Sequence, residues 1–207
     1  MTTAILSTAY FGPVQWYQKL NRYEEVWIEQ YDTFAKQTFR NRCVIATEHG
    51  TQALTIPIEH FEPHTPTRDI RISDHGRWRS LHFNAIRSAY GESPFFEFYV
   101  DDLAPFFERK WTFLIDFNEA ITHTMSQLLD IRPNMRRTTC FFEASQSAAD
   151  RCFQDFREVI HTKHPLPDEE FSPHPYYQVF ATKNGFQSNL SILDLLMNEG
   201  NESFFYL

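Results

Sequence analysis

The stretch TTAILSTAYFGPVQWYQKL, residues 2–20, decides the fold class. Its first half is an apolar run ending at Phe11, which reads as an N-terminal strand stopped by Gly12-Pro13. Proline is well placed at the first turn of a helix, and Trp16, Tyr17 and Leu20 fall on one face of the segment that follows. EEVWIEQY, residues 24–31, then reads as a second strand with Val26 and Ile28 facing one way. Strand, break, helix, strand is the opening of a layered α/β chain.

The rest extends that reading. In RNRCVIATEHGTQALTIPIE, residues 40–59, Cys43 and Ile45 alternate before a His49-Gly50 turn, and Leu54, Ile56 and Ile58 alternate after it. That is an antiparallel hairpin. A Pro- and His-bearing loop over 60–69 leads to a short strand at 69–73. Helices are expected over 78–90, with Leu81, Ala85, Ile86, Ala89 and Tyr90 in one stripe, over part of 93–110, and over 113–131. Beyond them we expect a strand at 138–143, a helix at 147–160, a loop over 161–177, a strand from 176, a Gly185 turn and a final helix presenting Ile192, Leu195 and Leu196 inward. The expectation is a single layered α/β domain over 1–207, with a mixed sheet that includes the hairpin and helices packed on it; α+β is the alternative.

Composition limits the function classes. The 207 residues are 42% hydrophobic, 22% charged and 16% aromatic, with 21 phenylalanines and a formal net charge of -8. An acidic balance argues against nucleic-acid binding, which needs a broad basic face. No basic n-region opens the chain and no run approaches about 18 apolar residues, so neither a signal peptide nor a membrane span is expected. Cys43, Cys140 and Cys152 are widely spaced and odd in number, and read as reduced thiols of a cytoplasmic protein.

Against that acidity, KQTFRNRC at residues 36–43 concentrates cations and amides. If the stretch is extended, Lys36, Arg40 and Arg42 share one face, and Gln37 and Asn41 the other. Three cations along an edge suit a diphosphate or a carboxylate, since the arginine fork matches such oxygens. They equally suit a solvated sheet face, with the amides pinning a turn. His82 lies at the edge of an apolar helical stripe, where it is either a satisfied core residue or a general base, and Arg79 is one turn away. The pairs in HFEPH and HTKH lack a third ligand at a standard spacing, so no metal site is expected. Cys43 beside Arg42 reads as a packed thiol before a nucleophile. Helix N-termini attract anions and strand C-terminal ends gather ligands, so the Gly12-Pro13 break belongs to the site if the basic stretch meets it.

AYFGPVQWYQKL, KQTFRNRCVI, LTIPIE, WRSLHFNAIRSAYGESPFFEFY, LIDFN and NLSILDLL, in this order, resemble the WbqC-like protein family over nearly the whole chain. The resemblance implies a role in surface-polysaccharide (O-antigen) biosynthesis, with transfer of a glycyl or acyl group to an activated sugar. The ligand would be a nucleotide-sugar or a lipid-linked sugar; the cofactor is unknown. Lys36, Arg40 and Arg42 would hold its anion. Gln37 and Asn41 would orient its polar groups, Tyr10 and Gln15 would close the site, Arg79 and Tyr90 would line it, and His82 would be the base. A protein that binds a partner enzyme through the aromatic run at 93–107 is the alternative. The chain departs from the family at Ser7, Thr8 and Ala9, where relatives often carry a His-Gln-Pro-like triplet.

Overall fold

The computed structural model describes residues 2–143, 145 and 152–207. Strand β1 (Thr3–Ser7), helix α1 (Val14–Arg22) and strand β2 (Glu25–Glu29) form a right-sized crossover, and β1 and β2 pair in parallel from Thr3 opposite Glu25 to Ser7 opposite Glu29. The hairpin follows as β3 (Arg42–Thr47) and β4 (Gly50–Thr55), paired antiparallel in a sheet of its own. Helices α2 (Trp78–Tyr90), α3 (Phe96–Glu108) and α4 (Leu114–Leu128) come next. Strands β5 (Met135–Arg137) and β6 (Phe153–Asp155) then complete a parallel sheet of order β5-β2-β1-β6. The chain ends in a short helix, α5 (Ala181–Asn184), and in α6 (Ile192–Glu199). The α/β class is therefore as expected, with parallel and antiparallel pairings segregated into two sheets.

Physical causes are visible in each part. Ala4, Ile5 and Leu6 of β1 are all fully buried, because a central parallel strand is covered on both faces and reads as a continuous apolar run. The C-terminal helix docks on the Gly12-Pro13 break: Val14 N–H donates to the Leu190 carbonyl at 3.0 Å, Ile192 N–H to Gly12 at 2.9 Å and Ser191 N–H to Val44 at 2.8 Å. Parallel sheet, hairpin and both chain ends thus share one continuous core.

Four expected elements differ. The strand at 138–143 is displaced to Met135–Arg137; Phe142 is instead buried against Trp27 and Phe153 without pairing in the ladder. Of the helix at 147–160, residues 147–151 lie outside the described residues, and the remainder is strand β6 and a turn. Phe153, Phe156 and Ile160 mimic a helical period, but pairing of Thr3 with Phe153 and of Ile5 with Asp155 overrides it. The 69–73 strand reduces to isolated bridges at Arg71 and Ile72, and the strand from 176 is replaced by a bend and α5. Within α2, Leu81 is exposed and His82 takes the buried position beside Trp78 and Ile86.

Gly200, just past α6, has φ +57, and a Cβ there would lie 2.6 Å from the Phe95 ring. Gly200→Ala is expected to destabilise the protein by about 2 kcal/mol, from left-handed strain plus the clash. Chemical denaturation reads this directly.

Candidate functional site

The chain runs outward from β1 to β2 and β5, then returns to the opposite side of β1 as β6, so the strand order reverses between β1 and β6. Open parallel sheets bind ligands at such reversals, beyond the C-terminal ends of the strands. A narrow cleft lies there, its enclosed space about 10 Å³, the size of one water. Its walls are Ser7 to Ala9 after β1, Phe156 and Arg157 after β6, Thr38 to Arg40 from the basic stretch, and His161. Tyr10 N–H donates to the Phe39 carbonyl at 2.8 Å, so the basic stretch does meet the N-terminal break.

Two arginines flank this cleft, each held by a carboxylate. Arg40 donates from Nη2 to Asp32 Oδ2 at 2.6 Å. Arg157 grips Asp155 through Nε and Nη2 at 2.9 and 2.6 Å, and Nη2 also reaches the Phe142 carbonyl at 3.0 Å. Burial works against both charges; it lowers the pKa of Arg40 despite Asp32, whereas Asp155 more than offsets it for Arg157. The pairs are incomplete. Among the described residues Arg40 Nε and Ser7 Oγ are buried without a partner, and both residues line the cleft. A buried donor without an acceptor costs roughly 1–3 kcal/mol, so a ligand oxygen here would recover what the fold leaves unsatisfied.

A second cleft, its enclosed space also about 10 Å³, shares Thr8 and Trp16 with the first. Glu119 and Arg137 supply its polar wall, and Arg137 pairs with Asp116 at 2.7 Å and also with Glu119. Among the described residues no group of three or more His, Cys, Asp or Glu side chains is placed to hold a metal ion.

The structure distributes the expected site residues unevenly. Residues 36–41 form successive turns and are not extended, so the alternation of faces does not apply. Arg40 turns inward to the cleft. Lys36 is exposed, with Nζ 4.9 Å from the centre of the Phe61 ring, and Arg42 donates from Nε to Thr55 Oγ1 at 2.9 Å in the hairpin; neither lines the cleft. Gln37 is exposed at φ +62, its carbonyl accepting from Thr162 Oγ1 at 2.8 Å. Asn41 is buried and donates to the Ile56 carbonyl at 3.0 Å, which pins the entry to β3. Gln15 is held by Asn189 and Asp168. Arg79 pairs with Asp74 at 2.6 Å.

Tyr10, His82 and Tyr90 belong to the core. The Tyr10 hydroxyl is in hydrogen-bond contact with His82 Nδ1 at 3.0 Å, and the His82 ring packs edge-on to Trp78 at 5.2 Å. Burial pulls His82 down to about 4, against a backbone hydrogen bond at Thr55. It is neutral at pH 7 and far from the poise of a general base. Tyr90 is buried beneath the hairpin and accepts from Ala46 N–H at 3.4 Å. Cys43 is fully buried, which pushes its thiol up and keeps it protonated.

Arg157, His161 and Ser7 are not among the site residues expected from sequence: Arg157 falls in an expected helix, His161 enters only as part of the HTKH pair, and Ser7 only as a departure from the family. The signal that finds them is strand order, since only adjacency of β1 and β6 brings residues 7, 40, 157 and 161 together.

A model of the WbqC-like protein family matches residues 8–164. An uncharacterized protein of Mycobacterium tuberculosis is similar to this chain, 25% identical over 194 residues that cover 84% of this chain and 83% of its own length. No solved structure matches the chain.

Proposed function

The chain belongs to the WbqC-like protein family, and on that premise we propose that it is a transferase of surface-polysaccharide assembly which grips the phosphate oxygens of an activated sugar in the switch-point cleft. The carrying observation is the unpartnered pair of donors, Arg40 Nε and Ser7 Oγ, beside two buried guanidinium groups at a strand-order reversal. An oxyanion is the ligand class those groups favour. In a protein of net charge -8 such a site is local, and it selects for a small anionic group, not a polyanion. The enclosed space of about 10 Å³ admits one oxygen-sized group, so the phosphate would seat a single oxygen there, and the sugar that receives a glycyl or acyl group on its amine or hydroxyl would extend outward, past Thr8 and Trp16. Of the site residues expected from sequence, this reading keeps Arg40 as ligand-binding and assigns His82, Tyr10 and Tyr90 to packing. The partner-docking alternative has less support, because Phe96, Phe106 and Phe107 of the aromatic run are buried and Phe98 is its exposed phenylalanine.

The test is thermal denaturation against a panel of nucleoside diphosphates and nucleotide-sugars. At about 100 times Kd a ligand specific for the folded state raises Tm by roughly 5–10 °C. Arg40→Lys leaves a cation beside Asp32 but removes the Nε donor, and is expected to abolish the shift, whereas Arg42→Lys keeps it. The absence of any shift in the wild type across the panel would count against the reading.

A further inference from the structure

The turn that follows β6 is fastened at several points. Thr162 Oγ1 donates to the Gln37 carbonyl at 2.8 Å, tying the turn to the basic stretch, and Ile160 N–H donates to Phe156 at 2.9 Å. His161 sits between these ties and lines the cleft. Its Nδ1 accepts two backbone N–H groups, from Lys163 and from His164, each at 3.2 Å. Among the described residues Nε2 takes no partner.

A neutral imidazole carries one N–H, and a nitrogen that accepts cannot be the one that carries it. Nδ1 accepts, so Nε2 is the donor of the ring. We propose that His161 donates its Nε2–H to a phosphate-type oxyanion whose oxygen enters the cleft between Arg40 and Arg157. This rests on the reading of the switch-point cleft as a phosphate site, and it adds a donor to its two guanidinium groups. The His164 ring stacks on that of His161 at 6.4 Å, and Arg40 with Asp32 and Arg157 with Asp155 are the ion pairs beside the cleft.

The test is calorimetric titration of inorganic diphosphate, and in parallel of a nucleotide-sugar, into the wild type, His161→Ala, His161→Gln and Arg40→Lys. Loss of a hydrogen bond to a charged ligand is expected to weaken His161→Ala about 10- to 100-fold. His161→Gln, whose amide nitrogen can stand in for Nε2, is expected to remain within about threefold of the wild type. Binding lost in Arg40→Lys but intact in His161→Ala overturns the role of His161 and leaves the phosphate site standing. No diphosphate binding in the wild type overturns both. A shift with the nucleotide-sugar alone, unaffected by His161→Ala, places the recognised group outside the reach of this ring and also overturns the proposal.

Discussion

Asp168→Ala is expected to destabilise the protein by about 3–5 kcal/mol, the cost of leaving a buried charge without its partner. The charge is Lys19. Its side chain is 0% exposed, and Nζ lies 2.9 Å from Asp168 Oδ2, 3.4 Å from Glu170 Oε2 and 4.5 Å from the centre of the Phe156 ring. Gln15 Nε2 also donates to Asp168 at 2.8 Å, and Glu170 N–H at 3.1 Å. Burial raises the pKa of Asp168, but the bonds from Gln15 and Lys19 outweigh it and hold the carboxyl below its ordinary value. These contacts clasp the 168–170 segment across α1 and explain why a helix with three polar residues on one side is buried all round. Because Glu170 remains near Nζ, the lower half of the range is the more direct expectation. The double variant Lys19→Met/Asp168→Leu removes both charges and should recover most of the loss, since a buried pair is worth little against apolar groups of similar volume. Urea denaturation of Lys19→Met, Asp168→Leu and the double variant completes the cycle. A cost below about 1 kcal/mol for Asp168→Ala would show that the ammonium reaches water.

The N-terminal strand, α1, the second strand, the hairpin, α2 and α4 were legible because local pattern and tertiary position agree there. Ala4 to Leu6 are apolar because both sheet faces are covered, and Leu114, Phe117, Ile121 and Met125 recur at the helical period because one face of α4 meets the core. The second half of the chain is harder to read. Strands β5 and β6 are three residues each, too short to carry a period, and they exist because β1 and β2 offer open ladders. No local signal at Phe153 announces that partner.

The site follows the same division. Arg40 stands out because it breaks the acidity of the chain; the sequence leaves open whether the N-terminal break meets it, and the Tyr10–Phe39 backbone bond supplies that meeting. The error in the rest came from treating residues 36–43 as one extended edge. Turns send Arg40 inward, leave Lys36 and Gln37 in solvent and give Arg42 to the hairpin. His82 titrates near neutrality only in water; among Tyr10 and Trp78 it becomes a packing residue, and the one-dimensional pattern does not distinguish these. Ser7 and Thr8, at which the resemblance implies a departure from the family, both lie on the cleft wall.

Asp194→Asn is expected to gain about 3 kcal/mol relative to the wild type as pH rises from 4 to 7.5. Asp194 lies in the first turn of α6 and is fully buried. Tyr176 and Gln178 both donate to Oδ2 at 2.7 Å, and the Tyr90 hydroxyl also acts on the carboxylate. Burial raises the carboxyl from its ordinary 3.8 to about 6, and the hydrogen bonds from Tyr176, Gln178 and Tyr90 offset only part of that. The folded state therefore holds the proton more tightly than the unfolded chain. The stability from that proton is complete below about pH 4 and is lost as pH climbs through the folded value near 6. A shift of roughly two pKa units corresponds to about 3 kcal/mol. Asparagine keeps an oxygen for Tyr176 and Gln178 and adds an amide for the Oδ1 position, but it does not ionise. Its stability relative to the wild type should rise across pH 4–6 and be flat above. Helix-dipole attraction at this first turn favours the charge and reduces the amplitude by up to about 1 kcal/mol. Tyr176→Phe removes one of the bonds that hold the charge down, so it should push the same transition to higher pH. Denaturation of both variants and the wild type at unit pH steps would expose the opposite case: a difference that does not vary with pH means the carboxylate is already charged at pH 4 and its burial is offset within the fold.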